Sequence, residues 1–241
     1  MRFANHYGML GVSRTKRTEE NRTMKRLDRA LVLVFAGCLC ASAGQARPRV
    51  DVEFLTGVPL NLRTSFELAQ EGFDELNFVG SYKTEPFRSP IYYAVRVGMA
   101  SESCSWSIEL LHHKVFLQDG PDEIESFSVT HGFNLLTVQR AWIVSPYRIH
   151  AGLGAVVAHP ESRVRGRKFD ETRGALGSGY YFAGPALTSG VGRRFPVGGR
   201  RYFFSLDGRA TLAPVKVPVA AGEAEFTNIA FHAMFGFGGS F

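Results

Sequence analysis

Ile229-Ala230-Phe231-His232-Ala233-Met234-Phe235-Gly236-Phe237-Gly238-Gly239-Ser240-Phe241 decides the reading of this chain. Counting back in twos from Phe241 gives Gly239, Phe237, Phe235, Ala233, Phe231 and Ile229. The intervening series, Ser240, Gly238, Gly236, Met234, His232, Ala230 and Asn228, is largely small or polar. Side chains alternate across a strand, so a period of two gives one apolar face and one polar face. That is the pattern of a strand lying between lipid and a polar interior.

The segment resembles the closing strand of bacterial outer-membrane β-barrels, a family whose last residue is typically Phe. The resemblance implies an all-β fold, a closed antiparallel transmembrane β-barrel in the bacterial outer membrane. Composition agrees. The chain has 241 residues with 26 Gly and 20 Phe and few helix-periodic stretches, which favours strands. Beyond the N-terminal region no run approaches the ~18 apolar residues of a membrane-spanning helix. The formal net charge of +6 lies largely in the first 49 residues, and no basic helix or aromatic RNA-binding motif accompanies it, so nucleic acid is not expected as a partner.

Residues 1–46 read as an N-terminal extension and a cleaved export signal, with Met24 as the expected start. Met24-Lys25-Arg26-Leu27-Asp28-Arg29 is basic, Ala30 to Cys40 is apolar, and Ala41-Ser42-Ala43 and Gly44-Gln45-Ala46 are small-residue cleavage sites. Phe35-Ala36-Gly37-Cys38 is the alternative, a lipoprotein-type processing site at Cys38. Once Cys38 and Cys40 are removed, Cys104 stands alone, so no intramolecular disulfide staples residues 47–241. A closed hydrogen-bonded barrel supplies the missing constraint.

Strand-like runs recur at roughly 50–56, 62–70, 74–84, 91–100, 104–117, 125–142, 147–159, 178–192, 202–216 and 224–241. They predict a single barrel over 47–241 with eight to ten strands. Ten is preferred, because Gly57-Val58-Pro59 reads as a turn between two short strands. Alternating the connections places Glu71–Phe73, Ala100–Glu102, Val144–Pro146 and Phe195–Gly199 on the periplasmic side. Segments 85–90, 118–124, 160–177 and 217–223 then lie outside, with the longest loop external as such barrels prefer. The competing fold is an exported soluble β-sandwich, which shows the same alternation. Aromatics near strand ends, Tyr92, Tyr93, Trp106, Trp142, Tyr147, Tyr180, Tyr181, Tyr202 and Phe203, fit interfacial girdles instead.

With the greasy face outward, Lys83, Arg96, Glu109, His113, Arg148, His150, Asp207, Arg209 and His232 take inward phase. In a narrow barrel such groups fill the lumen, and buried charges must pair. Arg96, Arg148, His150, Asp207, Arg209 and His232 are therefore expected to form a polar lumen network, giving a plugged or narrow interior. The function this implies is a structural, lipid-contacting or narrow-channel envelope protein.

The alternative is a lipid-modifying hydrolase. Glu109, His113, His131 and Asn134 lie on neighbouring runs, and a carboxylate, imidazoles and an amide can perform general acid–base chemistry where they converge. His131-Gly132-Phe133-Asn134 is similar to the His-x-Ser-Asn motif of the outer-membrane lipid A 3-O-deacylases, eight-stranded barrels. Phe133 stands where that family has its nucleophilic Ser, which removes the covalent step. His131 falls on the Phe127/Phe133 side of its strand unless Gly132 marks a bulge. His112 and His113 point to opposite faces, and neither a His-Glu-x-x-His nor a paired-Cys motif occurs, so no metal and no cofactor is expected. Arg163, Arg165, Arg167 and Lys168 form a basic external segment suited to lipopolysaccharide phosphates. Expected partners are thus outer-membrane lipids and lipopolysaccharide, with the barrel-assembly machinery during insertion.

Overall fold

Alternation written into successive segments produces a single antiparallel sheet. The computed structural model describes residues 49–169, 174, 177–199 and 201–241; the expected export segment, including Met24 and Cys38, lies outside them. The strands are β1 (Arg49–Asn61), β2 (Thr64–Gln70), β3 (Leu76–Gly80), β4 (Tyr82–Lys83), β5 (Tyr93–Ala100), β6 (Cys104–Leu117), β7 (Ser126–Val144), β8 (Tyr147–Val164), β9 (Arg167–Lys168), β10 (Tyr181–Val197), β11 (Tyr202–Val219) and β12 (Gly222–Ser240). The described residues contain no α-helix.

Hydrogen-bonded neighbours run β1-β5-β6-β7-β8-β10-β11-β12, and β12 pairs in turn with β1. Eight strands therefore form a ring, which leaves no unpaired edge along this path. The joining ladder is long, from Asp51 opposite Ser240 to Asn61 opposite Ala230. Reciprocal bonds between Val50 and Phe241, 2.9 and 2.8 Å, extend it.

The ring has eight members, not the ten preferred from sequence, because two expected hairpins are continuous lengths of wall. Both β1 and β2 run antiparallel to β12, β2 taking up the ladder with Phe66 opposite Phe226. Gly57-Val58-Pro59 is strand, not a turn. In the same way β3, β4 and β5 share one direction, pairing with β2, β6 and β1/β6 respectively. Segment 84–92 is an excursion within that wall element. One connection, the turn after Gln70, changes ends in consequence. The 71–75 turn lies with 118–125, the 165–166 turn and 220–221 at one end, whereas 101–103 and 145–146 form short turns at the other, where β10 ends and β11 begins.

The interior is layered along the axis. Near the short turns the inward positions carry charge; in the middle they carry His, Tyr and Asn; at the loop end they are apolar. This last layer packs Phe66, Phe127, Phe133, Phe226 and Tyr82, with Phe66 4.9 Å from Phe127 and Tyr82 5.4 Å from Phe226 between ring centroids. Outside, the order is reversed. Large exposed apolar side chains, among them Phe54, Val97, Ile108, Ile149, Val191, Leu206 and Phe235, surround the short-turn half. Ser126, Arg163, Lys216, Glu223 and Glu225 line the outside of the loop-end half.

Candidate functional site

The charged layer begins on β1, where Asp51 and Glu53 alternate with outward Val50, Val52 and Phe54. Inward phase on β5, β6, β10 and β11 brings Arg96, Glu109, Arg194, Asp207 and Arg209 to the same level. Arg96 reaches Glu109 at 2.7 Å, Glu53 at 3.2 Å and Asp207 at 3.6 Å. Arg209 donates to Asp207 at 2.6 Å and also to Glu109. Arg194 bridges Asp51 at 2.5 Å and Glu53 at 2.9 Å. His150 lies 3.0 Å from Asp207, Gln139 donates to Glu109 at 2.8 Å, and Arg148 donates to Ser105 at 2.8 Å.

Four carboxylates thus face four guanidinium groups, and the formal charges balance. Gly190 is required here: it lies between His150 and Arg209 on the flanking strands, and a Cβ would stand 2.6 Å from Arg209 Cβ and 2.8 Å from the His150 ring. The free space among Glu53, Arg96, Gln139, His150, Arg194 and Asp207 amounts to about 10 Å³, enough for roughly one water.

The middle layer is a hydrogen-bonded belt. Tyr92 Oη and Thr211 Oγ1 lie 2.8 Å from the two ring nitrogens of His232. Asn61 Oδ1 accepts from Asn228 at 2.9 Å and lies 2.9 Å from His113 Nε2.

Of the residues expected in the lumen, Arg96, Arg148, His150, Asp207, Arg209 and His232 all take inward positions, and all but the half-buried Arg148 are buried. Lys83 does not: half exposed, it pairs with Glu85 at 3.2 Å on the wall excursion. Asp51, Glu53, Gln139 and Arg194 complete the network without having been picked out from sequence. The signal was present for Asp51 and Glu53, whose alternation with Val50, Val52 and Phe54 gives their phase. Arg194 follows Gly190 and Gly192 in twos, but the expected strand stopped at residue 192.

The four residues expected to converge for catalysis do not share a site. Glu109 is held inside by Arg96, Arg209 and Gln139. His113 is buried one layer higher on Asn61. Asn134 faces out and lies 2.8 Å from His112 Nδ1, while His131 stands outside beside Glu161 at 2.5 Å. The physical reason for His131 is a bulge. The β7–β8 register shifts between Val129 and Phe133, and Gly132 takes a φ of +147°. The two additional residues keep Val129 and Phe133 both inward and expel His131.

The basic segment is ordered, because β8 continues to Val164 where a loop was expected from residue 160. Arg163 pairs with Lys168 across a two-residue turn, Arg165–Gly166, with φ of 50° and 73°. Positive φ at both positions marks the primed hairpin turn that matches strand twist. Arg165 lies 4.5 Å and Arg167 5.3 Å from the Phe73 ring. Arg165 also donates to Asp74 O at 3.0 Å, and Gly166 N–H to Glu125 at 2.8 Å, tying three connections into one tip.

No protein-family pattern matches the chain, and no curated protein matches it. Solved structures with similarity to it include Ail of Yersinia pestis bound to sucrose octasulfate, at 9% identity and TM-score 0.35, covering 79% of this chain and 100% of that one. The outer-membrane protein AlkL in lipid bilayers matches at 15% identity and TM-score 0.44, covering 84% and 94%. Neisserial surface protein A matches at 8% identity and TM-score 0.31, covering 79% and 98%.

Proposed function

We propose that the chain is an integral bacterial outer-membrane protein whose ring spans the bilayer by its short-turn half, with a closed lumen, and which acts at the envelope surface by contact with lipids rather than by conducting solutes. The observation that carries this reading is the apolar belt shared by all the ring strands, with Arg140 and Arg193, laid over the Trp142 and Phe195 rings, as its outward charges near the short turns. Every ring strand contributes exposed large apolar residues, from Val52 and Phe54 on β1 through Leu136 and Leu153 to Phe231 and Phe235 on β12. A soluble protein rarely exposes a contiguous apolar patch beyond a few hundred Å². A tilted strand crosses a bilayer in about 9–11 residues, whereas β7 and β12 have 19 and β8 and β11 have 18. The surplus length is the polar-skinned half beyond the headgroups. Arg163, Arg165, Arg167 and Lys168 crown that half and suit the phosphates of lipopolysaccharide, and insertion by the barrel-assembly machinery belongs to the same reading.

Closure rests on the charge network and its near-absent free volume. A hydrolase using Glu109, His113, His131 and Asn134 draws no support from their dispersed positions. The test is membrane integration followed by conductance. The full chain is expected to resist alkaline extraction from lipid vesicles and to give no discrete conductance steps in planar bilayers. A compact monomer in detergent-free buffer would overturn the membrane placement; reproducible steps would overturn closure alone.

A further inference from the structure

The bulge that expels His131 delivers it to two other ligand-type side chains. His131 on β7, with His159 and Glu161 two residues apart on β8, offer one ligand atom each, all within 4.8 Å of one another. His159 and Glu161 share the outward face of β8 because strand neighbours in twos lie on one side. The His131 and His159 rings are 5.5 Å apart, edge to face. His159 Nδ1 is buried and has no hydrogen-bond partner.

From this geometry we infer a surface binding site for a divalent transition metal, zinc(II) by the chemistry of its donors, formed by His131, His159 and Glu161. Two imidazoles and a carboxylate are a borderline donor set that suits zinc, with a fourth tetrahedral position left to water. Ligand atoms around tetrahedral zinc lie roughly 3.3 Å apart, given bonds of about 2.0–2.1 Å. Zinc would open the 2.5 Å His131–Glu161 contact slightly, replacing that hydrogen bond, and draw in the wider separations, and His131, with 62% of its side chain exposed, has room for that adjustment. The surrounding contacts orient the ligands. Thr130 Oγ1 donates to Glu161 at 2.5 Å, and Tyr180 Oη donates to the His131 carbonyl at 2.8 Å. The Tyr180 ring also packs 5.0 Å from that of His159. Such supporting hydrogen bonds normally accompany a metal ligand set. The site opens to solvent, which gives an ion its entry path. Glu161 is already held as carboxylate: burial pushes its carboxyl up, but the Thr130 and His131 hydrogen bonds outweigh this and hold it below the ordinary value.

The test is zinc titration of the untagged full chain, folded in detergent, by calorimetry, with cobalt(II) as the optical reporter of coordination. The expected result is one equivalent of zinc and a tetrahedral cobalt spectrum. His131→Ala and His159→Ala should each weaken binding by at least about tenfold, and Thr130→Val by less; His112→Gln should leave it unchanged. Unaltered β circular dichroism establishes that each variant is folded, and His131→Gln at the exposed bulge serves where His159→Ala is not. In the wild type, zinc should also slow amide exchange at residues 130–133. Absence of binding by the wild type, or unchanged affinity and stoichiometry in the His131→Ala/His159→Ala double variant, would overturn the site.

Discussion

Glu109 is the residue on which the inner charge layer turns. It accepts from Arg96, Arg209 and Gln139 while buried to 1% exposure. Removing one member of a buried ion pair strands its partner and typically costs about 3–5 kcal/mol. Glu109→Gln leaves two guanidinium groups short of countercharge, so its unfolding free energy in lipid vesicles should fall by that order, and its urea midpoint with it. Gly190 works by having no side chain. Gly190→Val would drive a branched Cβ into Arg209 and His150 and should lower the same midpoint, whereas Gly208→Ala, whose Cβ meets nothing closer than 4.0 Å, should not. At the β11–β12 turn, Ala221 holds a φ of 53°. An L-residue pays about 1–2 kcal/mol for that left-handed conformation, and glycine's added freedom in the unfolded chain offsets part of the relief. Ala221→Gly should therefore raise the unfolding midpoint modestly.

Among elements, the β7 bulge has a pH dependence that can be read directly. The Glu161 carboxylate joins the bulge to β8, and its folded pKa lies below the ordinary 4.5. A lowered carboxyl pKa stabilises the fold at every pH above the ordinary value, and that contribution fades as acid titrates the group in the folded state. Amide exchange at residues 130–133 should thus accelerate below about pH 4.5 relative to the rest of β7, and Glu161→Gln should abolish the difference. The period-two pattern made β5, β8, β11 and β12 legible from sequence, since alternation depends only on local geometry. What joins what was not legible. The break at 62–63 and the excursion at 84–92 leave the alternation on either side intact, so two wall elements each read as two strands. His159 and Glu161 were lost for a related reason: Pro160 signals a turn, yet here it sits within the β7–β8 ladder opposite Val129. The continuing alternation of Ala158, Pro160, Ser162 and Val164 inside with His159, Glu161 and Arg163 outside was the available sign.

At the scale of the whole molecule, the inside and outside change polarity in opposite senses along the axis. Where the exterior is apolar the interior is ionic, and where the exterior is polar the interior is aromatic. The sequence carried the first half of that statement in the alternation of Asp207 and Arg209 with Leu206 and Gly208. The second half depends on Phe66, Phe127 and Phe226, adjacent only after long-range pairing. Phe66→Ala, at the meeting point of these rings, should destabilise the protein by about 3–5 kcal/mol. That loss should persist when the lipid is exchanged for detergent, because no lipid reaches that layer. Under the proposed membrane placement, the loop-end half, with its own water-excluding centre and paired walls, would stand like a small soluble domain on the bilayer-spanning half. A protease applied to intact cells would accordingly find its cleavage points confined to the connections at the summit, and the stalk beneath them would survive the treatment whole.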